Sequence, residues 1–158
     1  MADTPSDSND QQGETPPFLI GVQYIKDLSF ENPNGIETLS AMQQGPEISV
    51  DVSTNARQLS ADGMFEVSLF IRAEATAQGR TGFIVELTYA GVVQVSGLPE
   101  EQIKPAVLIE GPRYLFPFAR NIVSNAVRDG GFPPLMINPI DFATLYVEQH
   151  VDSEGANI

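Results

Sequence analysis

The chain has 158 residues, 42% of them hydrophobic, with no cysteine, one histidine and a net charge of -13 from 21 acidic and 8 basic side chains. Such a length suits one domain with a buried core; the acidity disfavours nucleic-acid phosphate and anionic lipid as partners and favours basic ones; the missing thiols exclude disulfides and thiolate metal sites. No run of about eighteen apolar residues marks a transmembrane helix, and the start MADTPSDSNDQQGETPP lacks the basic and apolar regions of a secretory signal, so a cytoplasmic protein with no direct membrane insertion is expected.

Residues 1–16, rich in Asp, Ser, Gln, Gly and Pro, read as a disordered acidic tail, because they bury too little apolar surface to offset the entropy of ordering. From Phe18 the pattern has period two. Phe18, Ile20, Val22, Tyr24, Leu28 and Phe30 point one way, and Gly21, Gln23, Asp27, Ser29 and Glu31 the other, which predicts a long strand with two different faces. Asn32, Pro33, Asn34 and Gly35 end it, and the stretch to Pro46 reads as a crossing loop carrying Leu39 and Met42.

A second strand follows, with Ile48, Val50 and Val52 alternating with Glu47, Ser49, Asp51 and Ser53. In a third, Phe65, Val67, Leu69, Ile71, Ala73 and Ala75 alternate with Glu66, Ser68, Arg72, Glu74 and Thr76, with Phe70 on the polar side. Gln78, Gly79 and Arg80 predict a tight turn into a fourth strand, where Phe83, Val85, Leu87 and Tyr89 oppose Ile84, Glu86 and Thr88. Short connections between such strands imply an antiparallel meander.

Pro99, Glu100 and Glu101 predict a short helix that Gly111 and Pro112 stop. Beyond it Leu115, Phe118, Ala119, Ile122, Val123, Ala126 and Val127 recur at helical spacing, with Arg120, Asn121, Ser124, Asn125 and Arg128 opposite. Gly130 and Gly131 end that helix, Pro133 and Pro134 delay another, and Asn138 and Pro139 are expected to cap and begin it. The folded domain is placed at 17–148 and a flexible carboxyl-terminal tail at 149–158. Strands first and helices afterwards give an α+β fold: a four-stranded antiparallel sheet with carboxyl-terminal helices packed on one face.

The single histidine, His150, leaves no histidine-based triad or multi-histidine metal site, and neither a P-loop nor a dinucleotide fingerprint is present. No cofactor, no metal and no enzymatic activity are expected, although a carboxylate enzyme with an apolar pocket stays open as an alternative. Asp27 and Glu31 lie four apart on one side of the first strand, and Ile84 and Glu86 share a face of the fourth. Such a surface can take a basic peptide or be an ordinary solvated sheet face. Leu39, Met42, Phe132, Leu135, Met136, Phe142, Leu145 and Tyr146 form an apolar surplus for a small sheet domain. Core packing is their default use, and some of this surface should meet another subunit or a partner.

Four ordered segments, YIKDLSFENPN at 24–34, LFPFAR at 115–120, GGFPPL at 130–135 and NPIDFATLY at 138–146, resemble the SecB family of bacterial protein-export chaperones. The likeness runs over residues 17–148; the tryptophan expected near Gln44 is missing. The resemblance implies a cytoplasmic, ATP-independent holdase for unfolded precursor proteins, a homotetramer built as a dimer of dimers, and delivery of clients to the SecA translocase ATPase. It implies contacts for the basic, zinc-binding SecA tail at Asp27, Glu31, Ile84 and Glu86. It also implies a client groove at Ile48, Val50, Val52, Phe142 and Leu145, to which Met42 is added. A SecB-like chaperone dedicated to a single partner, such as an antitoxin, is the alternative.

Overall fold

A computed structural model describes residues 17–155, with side chains through Val151; the tail expected at 1–16 lies outside the described residues. The elements are β1 (Phe18–Glu31), α1 (Ile36–Met42), β2 (Glu47–Ser60), β3 (Met64–Ala77), β4 (Arg80–Val95), α2 (Glu100–Asp129) and α3 (Phe142–Gly155). The four strands form one antiparallel sheet in the order β1-β4-β3-β2, so β1 and β2 are its edges.

The hairpin between β3 and β4 turns on Gln78 and Gly79, both at positive φ (53° and 74°), as a two-residue turn matched to strand twist requires. Gly63, after β2, is equally constrained, since a Cβ there would stand 2.2 Å from the Val95 carbonyl oxygen. The apolar phase of β3 (Val67, Leu69, Ile71, Ala73, Ala75) and of β4 (Phe83, Val85, Leu87, Tyr89) is buried as expected. It packs under Val107, Leu115, Phe116, Ala119, Val123 and Val127 of α2. Each Leu- or Val-sized side chain so buried contributes about 1.5–3 kcal/mol.

Four expectations need correction. The two helices expected around Gly111 and Pro112 are one 30-residue helix, α2, with Pro105, Pro112 and Pro117 inside it. Gly111 does not end it. A Cβ at this position would lie 3.1 Å from both Val67 methyl carbons, so the glycine marks a close approach of helix to sheet, and packing overrides the proline penalty. The expected loop at 35–46 contains a helix, α1, whose Met42 is buried. The last helix begins at Phe142, where Asp141 Oδ1 accepts from the Thr144 amide at 3.2 Å, in place of a cap at Asn138, and it continues through Gly155, past 149.

The fourth correction concerns β1. It carries two register shifts against β4, between Ile20 and Gln23 and between Ile25 and Asp27. Each bulge reverses the alternation. Between them Gln23 pairs with Gly91 on the helix-covered side and Tyr24 pairs with Ala90 on the open side, opposite to simple period two. The second reversal cancels the first, so Phe30 pairs with Val85 on the covered side and Asp27, Ser29 and Glu31 return to the open face.

Candidate functional site

The open face of the sheet has two chemically distinct ends. At one, β1 and β4 are neighbours and the pairs are Asp27 with Thr88, Ser29 with Glu86 and Glu31 with Ile84. Asp27, Glu31, Ile84 and Glu86 therefore share one surface. Arg72 of β3 lies directly across from Glu86 and donates to it from Nε at 3.2 Å while its Nη2 donates to Glu74 at 3.0 Å. Thr81 Oγ1 also donates to Glu74, at 3.2 Å. Arg72 and Glu74 were not singled out in sequence. Their alternation on the polar side of β3 was visible, but their alignment with Glu86 depends on a bulge between Ala75 and Thr76.

At the other end stands Glu66 of β3, a carboxylate 8% exposed. Tyr24 Oη donates to its Oε2, Lys26 Nζ donates to Oε1 at 2.9 Å, and Arg57 Nη2 of β2 lies 3.5 Å from Oε1. These donors, Tyr24 first and Lys26 next, hold the Glu66 carboxyl down at about 2 against the opposing effect of burial. The same hydrogen bond raises the Tyr24 phenol above its ordinary value. This cluster joins residues some forty positions apart, and no local pattern announces it.

On the covered side, β2 borders a chain of cavities. Ile48, Val50 and Val52 face Leu135, Met136 and Ile140 of the segment between α2 and α3 across a groove of about 420 Å³. A smaller cavity of about 190 Å³, lined by Met42, Pro46, Phe83 and Phe132, shares Ile48 and Leu135 with it. Further along β2, a third of about 730 Å³ lies among Thr54, Ala56, Phe65, Ile103, Lys104 and Gln149. Thr54 Oγ1 donates to Gln149 Oε1 there at 3.0 Å. Ile48 and Val50 remain 43% and 38% exposed, so this wall is apolar and accessible.

Three of the six expected groove residues, Ile48, Val50 and Val52, line this groove, and the buried Met42 lines the smaller cavity that shares Ile48 and Leu135 with it. Phe142 does not. It is 2% exposed and meets Phe116 edge-on with ring centroids 5.9 Å apart, which makes it core. Leu145 packs against that core and borders none of these three cavities. The family resemblance alone places both residues in the groove. Leu135 and Met136, noted in sequence only as apolar surplus, line the groove opposite β2.

A third apolar area lies along the β1 edge. Val22, Ile25 and Leu28 are 64%, 47% and 43% exposed, and Tyr114 and Phe118 of α2 stand half exposed beside it, stacked on Phe18 and Tyr89 at 5.8 and 6.5 Å. Among the described residues no group of three His, Cys, Asp or Glu is arranged for a metal ion, and no helix is long and apolar enough to cross a membrane. His150 Nδ1 lies 2.7 Å from the Tyr146 carbonyl oxygen, its ring against the Tyr146 ring.

The model of one protein family, described as preprotein translocase subunit SecB, matches residues 11–153. The chain is 52% identical over 143 residues to the protein-export protein SecB of Azorhizobium caulinodans, covering 90% of this chain and 88% of that one. It is 48% identical to that of Xanthobacter autotrophicus, with 93% of each chain covered, and 47% identical to that of Parvibaculum lavamentivorans, with 92% and 86% covered. Among solved structures, a SecB-like chaperone of Mycobacterium tuberculosis in complex with a ChAD peptide from an antitoxin superposes with a TM-score of 0.66. That match covers 78% of this chain and 91% of that one at 14% identity, so it speaks for the fold.

Proposed function

The chain belongs to the SecB family, and from that premise we propose that it is a chaperone of protein export that holds unfolded precursor proteins in the trough along β2. The observation that carries the reading is the run of connected apolar cavities beside a free edge strand. An extended client segment can place alternate side chains in such a trough, each worth about 1.5–3 kcal/mol when buried, without needing one specific pocket. Relatives at 47–52% identity carry names for export, which favours export over service to a single dedicated partner.

Delivery to the SecA ATPase would use the open face, where Asp27, Glu31 and Glu86 surround Ile84 on adjacent strands. Charge at the rim speeds encounter with a basic tail, and the apolar centre slows release. The half-exposed apolar rows on the β1 edge and α2 support assembly into a tetramer, a dimer of dimers. Neither holding nor handover asks for bond chemistry, a nucleotide or a metal in this chain, and the setting is the cytoplasm.

One set of measurements tests these parts separately. Light scattering should give the mass of four 17.1 kDa chains, and aggregation of unrelated unfolded proteins should be suppressed equally with and without ATP. The Asp27→Lys, Glu86→Lys double variant should lose most of its affinity for the SecA tail while keeping mass and holdase activity. A concentration-independent monomer, an absolute ATP requirement, or unchanged tail affinity would each remove the corresponding part of the reading.

A further inference from the structure

An edge strand with two bulges has a poorly determined register unless something other than its ladder sets it. A slip of one residue in β1 would turn Asp27 and Glu31 to the covered side and bring Leu28 and Phe30 to the open one. Phe30 anchors the carboxyl-terminal end of the strand, in an aromatic group with Phe83 and Phe132 at 6.0 and 6.3 Å between centroids. The bulged middle has a different anchor. Tyr24 lies in the reversed segment and Lys26 lies between the residues that define the second register shift, yet both donate to Glu66. That carboxylate belongs to β3, two strands away, so the contact spans β4. Ala90, which pairs with Tyr24 on the open face, is fully buried, so the face is covered at the point the contact crosses.

This geometry is selective. A Tyr24 restored to simple alternation would point to the covered side and leave Glu66 without its phenol donor. Lys26, outside the regular pairing, is free of the phase constraint and can reach the same carboxylate, while Arg57 approaches it from β2. We propose that Glu66 is a positioning residue: through Tyr24 and Lys26 it clamps the reversed middle of β1 between its two bulges, and because loss of the second bulge alone would turn Asp27 and Glu31 to the covered side, the clamp keeps them on the open face beside Ile84 and Glu86. The consequence for docking rests on the function proposed above; the register clamp does not.

The test uses the full-length assembly and compares Glu66→Gln with the Tyr24→Phe, Lys26→Met double variant, which removes the donors and leaves the carboxylate. Amide hydrogen exchange is read residue by residue, alongside binding of a synthetic lysine-rich peptide. With the clamp, amides of Gln23 to Asp27 exchange about tenfold faster or more in both variants, whereas amides of β3 and α2 stay within about twofold of wild type. Peptide affinity falls although neither variant touches Asp27, Glu31 or Glu86. Equal acceleration throughout the sheet and α2 would reduce Glu66 to a general stabiliser and overturn the clamp, as would unchanged exchange in β1. Faster β1 exchange with unchanged peptide affinity would keep the clamp and remove the docking reading of that face.

Discussion

The two edges of the sheet solve the same problem in opposite ways. β2 follows β3 in unbroken register from Glu47 to Gln58, whereas β1 breaks register twice against β4. Along β2 the covered side presents Ile48, Val50 and Val52 to a cavity, with Thr54 beyond them bonded to Gln149; along β1 the middle is fixed by a tyrosine, a lysine and a distant glutamate. A regular edge keeps its side chains at even spacing, which suits a variable extended guest. A bulged edge aims particular side chains at particular places, which suits a fixed partner. Edge position alone therefore does not decide what a strand is for.

The change that breaks both edges at once is Phe132→Ala. This ring sits in the aromatic group that anchors Phe30 of β1 and also lines the cavity beneath Ile48 of β2. Denaturant unfolding should show a loss of about 3–5 kcal/mol, with client holding and tail docking impaired together.

A smaller effect separates the edges by pH. Glu66 titrates at about 2 in the folded chain against an ordinary value of 4.5, so its contribution is fully present above pH 4.5 and is lost as pH falls from there toward 2. Wild type should lose stability across that window more steeply than Glu66→Gln, which should cost about 1–2 kcal/mol at neutral pH because its partners are hydrogen-bonded but solvent-accessible. Parallel curves for the two proteins would show that the carboxylate gains nothing from folding.

The smallest effect on stability should come with a large one on function. Val50→Asp alters a residue already 38% exposed, so stability should move by about 0.5 kcal/mol or less. Holding of unfolded clients should fall about tenfold, because a charge enters a wall that must be desolvated on binding, and affinity for a basic tail should not change. Equal loss of both affinities would mean that the two edges are not independent.

Much of the sheet was legible because alternation in β3 and β4 is strong and both faces keep one phase throughout. Even the register irregularity has a sequence cause. The Gln78–Gly79 turn pairs Ala77 with Arg80, which would set odd positions against even ones, yet the core positions of both strands that pack under α2 are odd-numbered. One extra residue must therefore intervene, and the space a Cβ of Gly82 would take is filled by the Met42 side chain, 2.1 Å from Cε. In β1 the two bulges cancel, so Asp27 and Glu31 came out on the right face while Tyr24 came out on the wrong one. The Glu66 cluster was illegible because it depends on strand order. Phe142 was placed in the groove by the family resemblance, which does not show that its ring packs on Phe116, whereas Leu135 and Met136 sit in a segment without periodicity.

The three prolines of α2 bear on the order in which the chain acquires its structure. Each interior proline costs a helix about 3 kcal/mol, so three impose on the order of 9 kcal/mol that local hydrogen bonding cannot recover. Residues 100–129 therefore have little helical tendency in isolation and take their shape from an existing apolar surface, the covered side of β3 and β4. The hairpin, closed by a two-residue turn, is local enough to form before it. In a folding-rate experiment, substitutions at Leu69 or Leu87 should slow refolding, whereas substitutions at Val123 or Val127 should chiefly speed unfolding. That outcome would make α2 a late arrival, templated by the sheet it covers.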